Sequence, residues 1–253
     1  MKALIFDMDG TLTEARKPIS SEMIEALAAV SNSYKLYLVT GSDMTKVEEQ
    51  IPVRVLLNLF EKVFTCNGTG VYNTNLDEDD EKGSLEPELL HKETLLNYYS
   101  QSDINHLISR LLEIVADTHT KYKTGTFVEW RGGQINFSLI GRNCSQEQRG
   151  DYIAWDVKSR ERQRVVELLQ KEFKGWGLKF SIGGQISIDI TRKGWDKTCA
   201  LKHIQEDSAA CVFFGDKTLP GGNDFEIAQA CGTYYDIESP LDLLPILAKY
   251  KPV

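Results

Sequence analysis

Apolar and polar positions alternate along both ends of the chain in the rhythm of strands and helices. Continuously apolar runs indicate strands over residues 2–7, 35–39, 63–66 and 211–214. Capped or amphipathic segments between them indicate helices over residues 21–29, 43–50, 196–206 and 223–229. Strands that alternate with helices predict an α/β fold, with a doubly wound parallel sheet covered on both faces.

The middle of the chain has a different pattern. An apolar stripe predicts a helix from Asp103 to Val115. Alternating segments over 126–130 and 134–138 flank Gly132-Gly133, those over 178–182 and 185–189 flank Gly183-Gly184, and a helix is predicted over 160–173. Paired glycines between alternating strands are a hairpin signal. We therefore expect an antiparallel sheet with helices on one face.

This change of pattern predicts two domains. The core comprises residues 1–82 and 190–253, and an inserted α+β cap comprises residues 83–189. The acidic stretch over 77–81 lies near the first crossing and is interpreted as a solvated loop or hinge.

Composition excludes several classes of partner. The net charge of −8 and the pI near 5.2 argue against a nucleic-acid surface, which needs clustered Lys and Arg. No apolar run is long enough to cross a bilayer, and the five scattered cysteines suit a reducing compartment. We expect a soluble, cytoplasmic protein without a membrane partner. The four histidines lack the spacing of a transition-metal site.

Chemically active residues follow the predicted parallel strands. Asp7 and Asp9 leave the first strand, Ser42 follows the second, and Asp216 follows the strand over 211–214. Ligands bind at the carboxyl ends of strands in open α/β sheets. An Asp-Gly pair also forms ordinary turns, so only the joint pattern favours a site for phosphoryl transfer.

The segment Asp7-Met8-Asp9-Gly10-Thr11 resembles the signature of haloacid dehalogenase-type (HAD) phosphotransferases, and the later motifs follow in that superfamily's order. The cap and the C-terminal motifs narrow the resemblance to the eukaryotic-type phosphomannomutases over nearly the whole chain. These motifs are Gly125-Thr126-Phe127-Val128-Glu129-Trp130-Arg131, Ile140-Gly141-Arg142, Gly194-Trp195-Asp196-Lys197 and Gly221-Gly222-Asn223-Asp224.

The resemblance implies a HAD-like core with an inserted cap, and a magnesium-dependent isomerase. It would interconvert mannose 6-phosphate and mannose 1-phosphate, toward GDP-mannose, and could also act on glucose phosphates. Asp7 would be the nucleophile that forms an aspartyl phosphate, and Asp9 the general acid and base. The implied catalytic residues are Asp7, Asp9, Ser42 and Lys197. The implied magnesium ligands are Asp7, the Asp9 carbonyl and Asp216, with help from Asn223 or Asp224.

The cap would hold the phosphate that is not reacting. The implied substrate-binding residues are Arg16, Arg131, Asn136, Arg142, Arg149, Ser187 and Asp189. A guanidinium fork suits phosphate because it donates two parallel hydrogen bonds. The resemblance also implies a hexose 1,6-bisphosphate as intermediate and activator, hexose phosphates as small-molecule partners, and a homodimer formed through the cap.

The chain departs from the family pattern before the Gly125-Thr126-Phe127 segment. Thr124 stands where an arginine is common, with Lys121 and Lys123 nearby, so one phosphate ligand is absent or replaced by a lysine. This departure keeps a sugar-phosphate phosphatase of the same fold as the rival interpretation. A binding protein that lost its activity is disfavoured, because a binding module needs neither both acids nor the lysine.

Overall fold

The computed structural model describes residues 2–75 and 86–251. It divides into two compact units, which are described separately: Met1–Lys92 with Gly194–Val253, and Glu93–Lys193. The division lies after the expected boundaries at 82 and 189. A strand over Glu88–Lys92 pairs within the first unit's sheet, and a strand over Ser187–Arg192 pairs within the second unit's sheet. The expected first boundary and the acidic stretch over 77–81 both lie outside the described residues.

The secondary structure follows the predicted order with additions. In chain order, the strands are β1 Ala3–Phe6, β2 Lys35–Val39, β3 Lys62–Thr65, β4 Gly70–Asn73, β5 Glu88–Lys92, β6 Val128–Trp130, β7 Ile135–Ser138, β8 Leu178–Gly183, β9 Ser187–Arg192, β10 Cys211–Gly215 and β11 Thr233–Asp236. The α-helices are α1 Ser21–Ser31, α2 Met44–Gln50, α3 Val53–Leu59, α4 Gln101–Asp117, α5 Gln146–Ser159, α6 Glu161–Glu172, α7 Phe225–Ala230 and α8 Pro240–Leu247. Within the two described ranges, no helix combines the length and apolarity needed to cross a bilayer.

The first unit is built on one sheet whose strand order is β11-β10-β1-β2-β3-β4-β5. The five neighbouring strands β11, β10, β1, β2 and β3 are parallel. Strands β4 and β5 extend this sheet at one side in antiparallel orientation. Every residue of β1 is buried. Leu4 and Phe6 join the apolar cluster that includes side chains of α1, α3 and α8, while Ala3 and Ile5 join the cluster that includes side chains of α7. The doubly wound parallel core is therefore confirmed.

One predicted helix of this unit has a tighter form. The segment expected as a helix over 196–206 is a 3₁₀ helix over Lys197–His203. The backbone N–H of Cys199 donates to the carbonyl of Asp196 three residues earlier, at 3.0 Å, and the Asp196 side chain accepts from the Thr198 N–H. A 3₁₀ turn at this point directs Lys197, at its first position, into the protein interior.

The second unit contains an antiparallel sheet of order β6-β7-β9-β8. Both predicted Gly-Gly hairpins, β6-β7 and β8-β9, are confirmed. The helix predicted over 160–173 is α6, and sequence analysis did not identify α5 before it. Arg160 separates the two helices in a left-handed conformation with φ 52°. The polar sequence of α5 gives only a weak amphipathic pattern, although Ser145 and Gln148 form a capping box at its start.

Candidate active site

The parallel sheet brings two acids to the same edge: Asp7, at the start of the segment Asp7-Met8-Asp9-Gly10-Thr11, and Asp216, which follows Gly215. Asp7 leaves β1 and donates its backbone N–H to the Phe214 carbonyl at 2.9 Å, which continues the pairing of β1 with β10. Asp216 directly follows β10. Gly10 permits the approach of the two loops, because its φ is +94° and a Cβ there would lie 2.6 Å from Asp216 Oδ2. A glycine is thus required where the first acidic loop faces the second.

Lys197 links Asp7 to Asp224. Its ammonium is fully buried and donates to Asp7 Oδ1 and to Asp224 Oδ1. Asp224 also accepts the backbone N–H of Lys217 on its Oδ2, at 3.2 Å. A buried lysine between two carboxylates is held in one position, so its charge is fixed beside the Asp7 oxygens.

The charges of this group are strongly perturbed. Burial raises the pKa of Asp7 to about 7, and repulsion from Asp224 and Asp216 adds to this effect against the attraction of Lys197. Burial also raises the pKa of Asp216. Burial lowers the pKa of Lys197, but the charges of Asp224 and Asp7 outweigh it and raise that pKa above its ordinary value. Without a further cation, the negative charge of the ionised carboxylates would therefore exceed the positive charge of the lysine between them.

The donor set fits a hard divalent cation. Asp7, Asp216 and Asp224 each offer a carboxylate oxygen, and these oxygens lie within 4.8 Å of one another. Asp216 Oδ1 is buried and has no hydrogen-bond partner among the described residues. An oxygen in that situation is costly unless a cation or water contacts it. Carboxylate oxygens are the ligands that Mg²⁺ prefers, so these three residues could hold it.

Asp9 lies in the same loop with its own contacts. The backbone N–H of Arg16 donates to Asp9 Oδ1 at 3.0 Å, and the Ser42 hydroxyl donates to Asp9 Oδ2 at 3.4 Å. The Thr11 hydroxyl, which sequence analysis did not single out, donates to Asp7 Oδ2 at 3.4 Å. Asp9 is half-buried, so part of it is accessible to a ligand.

Two residues predicted for the site contribute no side chain to this acidic group. The side chain of Asn223 is exposed, although the adjacent Asp224 is fully buried. Arg16 is also exposed and contacts Asp9 through its backbone. The roles of both side chains stay predictions.

The second unit contains a separate polar group on its sheet. Arg142 donates to the Asn136 Oδ1 and, at 3.4 Å, to Ser187 Oγ, while Asn136 donates to Asp189 Oδ1 at 2.6 Å. Arg131 and Arg142 both form ion pairs with Glu129. The structure thus brings together five of the residues predicted to bind substrate: Arg131, Asn136, Arg142, Ser187 and Asp189.

Burial and backbone contacts fix this polar group. Arg149 is 7% exposed and donates from Nη2 to the Arg142 carbonyl at 3.0 Å. Burial raises the pKa of Asp189, while hydrogen bonding from Asn136 acts in the opposite direction. A Cβ at Gly183 would lie 2.0 Å from Asp189 Oδ2, so the glycine leaves room for the acid. Guanidinium groups held in this way suit an oxyanion such as phosphate.

The lysines near Thr124 are bound elsewhere. Lys123 Nζ donates to the Val115 carbonyl at 2.6 Å, at the C-terminal end of α4, and Lys121 pairs with Asp151 at 2.8 Å. Thr124 donates its hydroxyl to the Ile140 carbonyl at 2.9 Å. In this structure, neither lysine joins the arginine group.

Comparison with known proteins identifies the fold. The chain is similar to an IMP-nucleotidase of Plasmodium falciparum, with a TM-score of 0.66 at 14% identity, over 99% of this chain and 68% of that one. It is also similar to a haloacid dehalogenase-like hydrolase of Bacteroides thetaiotaomicron, with a TM-score of 0.62 at 14% identity, over 98% of both chains. At such identities the likeness concerns the fold, which is HAD-like.

Sequence comparison identifies the family. Phosphomannomutase 2 of Dictyostelium discoideum is 41% identical over 246 residues, which cover 96% of this chain and 94% of that protein. A phosphomannomutase of Saccharomyces cerevisiae is 38% identical over 248 residues, which cover 97% and 92%. The family model of eukaryotic phosphomannomutase matches residues 23–250. The chain therefore belongs to the eukaryotic phosphomannomutase family.

Proposed function

We propose that this protein is a phosphomannomutase, which interconverts mannose 6-phosphate and mannose 1-phosphate through a hexose 1,6-bisphosphate. The observation that carries the proposal is the buried contact of Asp7 with Lys197, in a chain of this family and beside two further acids. Glucose phosphates are proposed as further substrates, and a hexose 1,6-bisphosphate as the activator that loads the enzyme.

The proposed reaction uses Asp7 as the nucleophile. A carboxylate oxygen of Asp7 forms a bond to the phosphorus of the bisphosphate, and the bond from phosphorus to the sugar oxygen breaks. Asp9 gives a proton to that departing oxygen and later takes one from the hydroxyl that accepts the phosphoryl group. Lys197 lies against the Asp7 oxygens, so it can stabilise negative charge on the transferring group.

Magnesium is the proposed metal. Asp7, Asp216 and Asp224 would hold it, together with the Asp9 carbonyl that the family resemblance implies. Bound there, the ion would supply positive charge for the oxygens of the phosphoryl group.

The arginines of the second unit are proposed to bind the other phosphate. A mutase differs from a phosphatase because it must retain the bisphosphate until the second phosphoryl group has been transferred to Asp7. Arg131, Arg142 and Arg149 offer donors for this task, with Asn136, Ser187 and Asp189 around them. Arg16 is proposed as an additional contact. A phosphatase needs no such grip, so the arginine group favours the mutase.

Phosphorus NMR tests the proposal. Purified protein with magnesium, mannose 1-phosphate and a trace of glucose 1,6-bisphosphate should produce mannose 6-phosphate in excess over free phosphate. Asp7→Asn should abolish turnover without changing the fold, because it removes the nucleophile at constant shape. Asp43→Asn is the matched control: Asp43 caps α2, Asn caps a helix equally well, and activity should stay normal. Dominant free phosphate would instead establish the phosphatase, and turnover by Asp7→Asn would exclude the mechanism.

A further inference from the structure

Glu129 lies between the two arginines of the sheet surface. One of its oxygens, Oε2, accepts from Nε and Nη2 of Arg131 and lies 3.2 Å from Nε of Arg142. The Arg131 and Arg142 side chains are 13% and 16% exposed, whereas that of Glu129 is 36% exposed. Two largely buried cations therefore share one partly accessible anion.

Strand register explains this geometry. Glu129 on β6 lies opposite Asn136 on β7, which lies opposite Asp189 on β9. Residues directly opposite each other in an antiparallel sheet project from the same face. Arg142 is consequently bound by Glu129 at Nε and by Asn136 at Nη1. These two contacts fix the plane of its guanidinium.

The shared carboxylate also changes the charge that a ligand meets. Arg131 and Arg142 carry two positive charges. Glu129 forms ion pairs with both and offsets one of these charges, and Asp189 is a second acid whose charge attracts both guanidiniums from further away. An arriving phosphate competes with Glu129 for N–H groups of the same guanidiniums, because a carboxylate and a phosphate use similar donor geometry. Glu129 therefore weakens the attraction of the arginines for a phosphate while it keeps them oriented.

We propose that Glu129 is an internal counter-ion that sets the strength of phosphate binding at Arg131 and Arg142. This inference rests on the proposed mutase function. In that function, one phosphate of the bisphosphate must dissociate from the arginines before the other phosphate can bind to them. Arginines without a counter-ion would hold the bisphosphate too long. Glu129 is a tuning residue, and it takes no part in bond making.

Binding to the full chain tests this role apart from turnover. Calorimetry with mannose 6-phosphate in magnesium-free buffer, where phosphoryl transfer does not occur, compares wild type with Glu129→Gln. Removing the negative charge at nearly constant shape should tighten binding about tenfold. Glu129→Asp should restore affinity toward the wild-type value. Glu147→Gln is the matched control, since Glu147 is an exposed acid on α5 of the same unit, and its affinity should be unchanged.

Double-mutant cycles with Arg131→Ala and with Arg142→Ala test whether both arginines are partners of Glu129. The effect of Glu129→Gln should be smaller when either arginine is absent. In kinetic assays, Glu129→Gln should lower KM and kcat together, because release of the tightly held phosphate becomes slow. Weaker or unchanged binding by Glu129→Gln, or tightening that is equal with and without each arginine, would overturn the inference. A wild-type protein that makes no mannose 6-phosphate would overturn the mutase function, and the binding results would still decide the role of Glu129.

Discussion

In the metal-free protein, ionisation of Asp7 should lower the free energy of unfolding as the pH rises. Its pKa is about 7 in the folded protein and near 3.8 in the unfolded chain. The folded state therefore binds this proton more tightly, so it loses stability as the pH increases between these two values. At about 1.4 kcal/mol for each pH unit, the full loss is about 4 kcal/mol. Above the folded pKa the cost is complete and constant.

The measurement compares wild type with Asp7→Asn by urea unfolding in EDTA, from about pH 4.5 to about pH 8. Asparagine keeps the shape of the side chain and cannot ionise. The comparison cancels the titrating groups that lie away from Asp7, whereas the response of Asp224 and Asp216 to its charge is included in the measured difference. Because the interval begins above the unfolded pKa, we expect the stability of the variant relative to the wild type to rise by about 3 kcal/mol between its two ends.

Magnesium supplies the second half of the experiment. A divalent cation prefers ionised carboxylates, so it should raise the stability of the wild type more at about pH 8 than at about pH 5. The increase in stability on adding magnesium should be smaller for Asp7→Asn, because this variant lacks one of the carboxylates proposed to bind the ion. A stability difference between the proteins that does not change with pH would refute the assigned pKa of Asp7. A difference of opposite sign would mean that attraction to Lys197 outweighs burial.

Four further single substitutions give distinct readouts. Arg142→Ala should reduce sugar-phosphate transfer far more than hydrolysis of a small aryl phosphate, which has no second phosphate to bind; equal losses in the two assays would contradict the role of Arg142. Arg162→Leu should cost about 3–5 kcal/mol in urea unfolding, because it leaves the buried Asp156 unpaired, and a double variant with Asp156→Leu should recover much of the loss. Gly10→Ala should abolish turnover through its close approach to Asp216, whereas Gly150→Ala, with open space around its Cβ on α5, should raise stability by about 0.5–1 kcal/mol; full activity of Gly10→Ala would disprove the steric argument.

Sequence reasoning was most successful where burial is two-sided. The four apolar runs of the core became parallel strands because no polar alternation competed with that interpretation. Strands β4 and β5 were not predicted, since β4 contains only two apolar residues, Val71 and Tyr72, and β5 is exposed along its whole length. A short or solvated edge strand has no apolar run to identify it. Its position depends on pairing with neighbours that are distant in sequence.

The candidate site shows a similar division. Acids at strand ends could be predicted, because parallel strands place their carboxyl ends at one edge. The prominence of Asp224 over Asn223 could not, since adjacent loop residues differ here only in which side chain turns inward. Arg162 also had no signal, because its three carbonyl acceptors, in Gly183, Gly184 and Ser187, are backbone atoms.

Arg162 and Glu129 share a property that explains why motifs do not reveal them. Each acts on other parts of the protein: Arg162 binds Asp156 and the turn that leads into β9, and Glu129 binds Arg131 and Arg142. A motif records the residue types that chemistry requires at a reacting atom. The geometry of those residues is set by partners whose choice depends on packing, and many residue types could supply a similar restraint. The proposed phosphate binding at Arg131 and Arg142 is therefore expected to depend on side chains that contact no substrate.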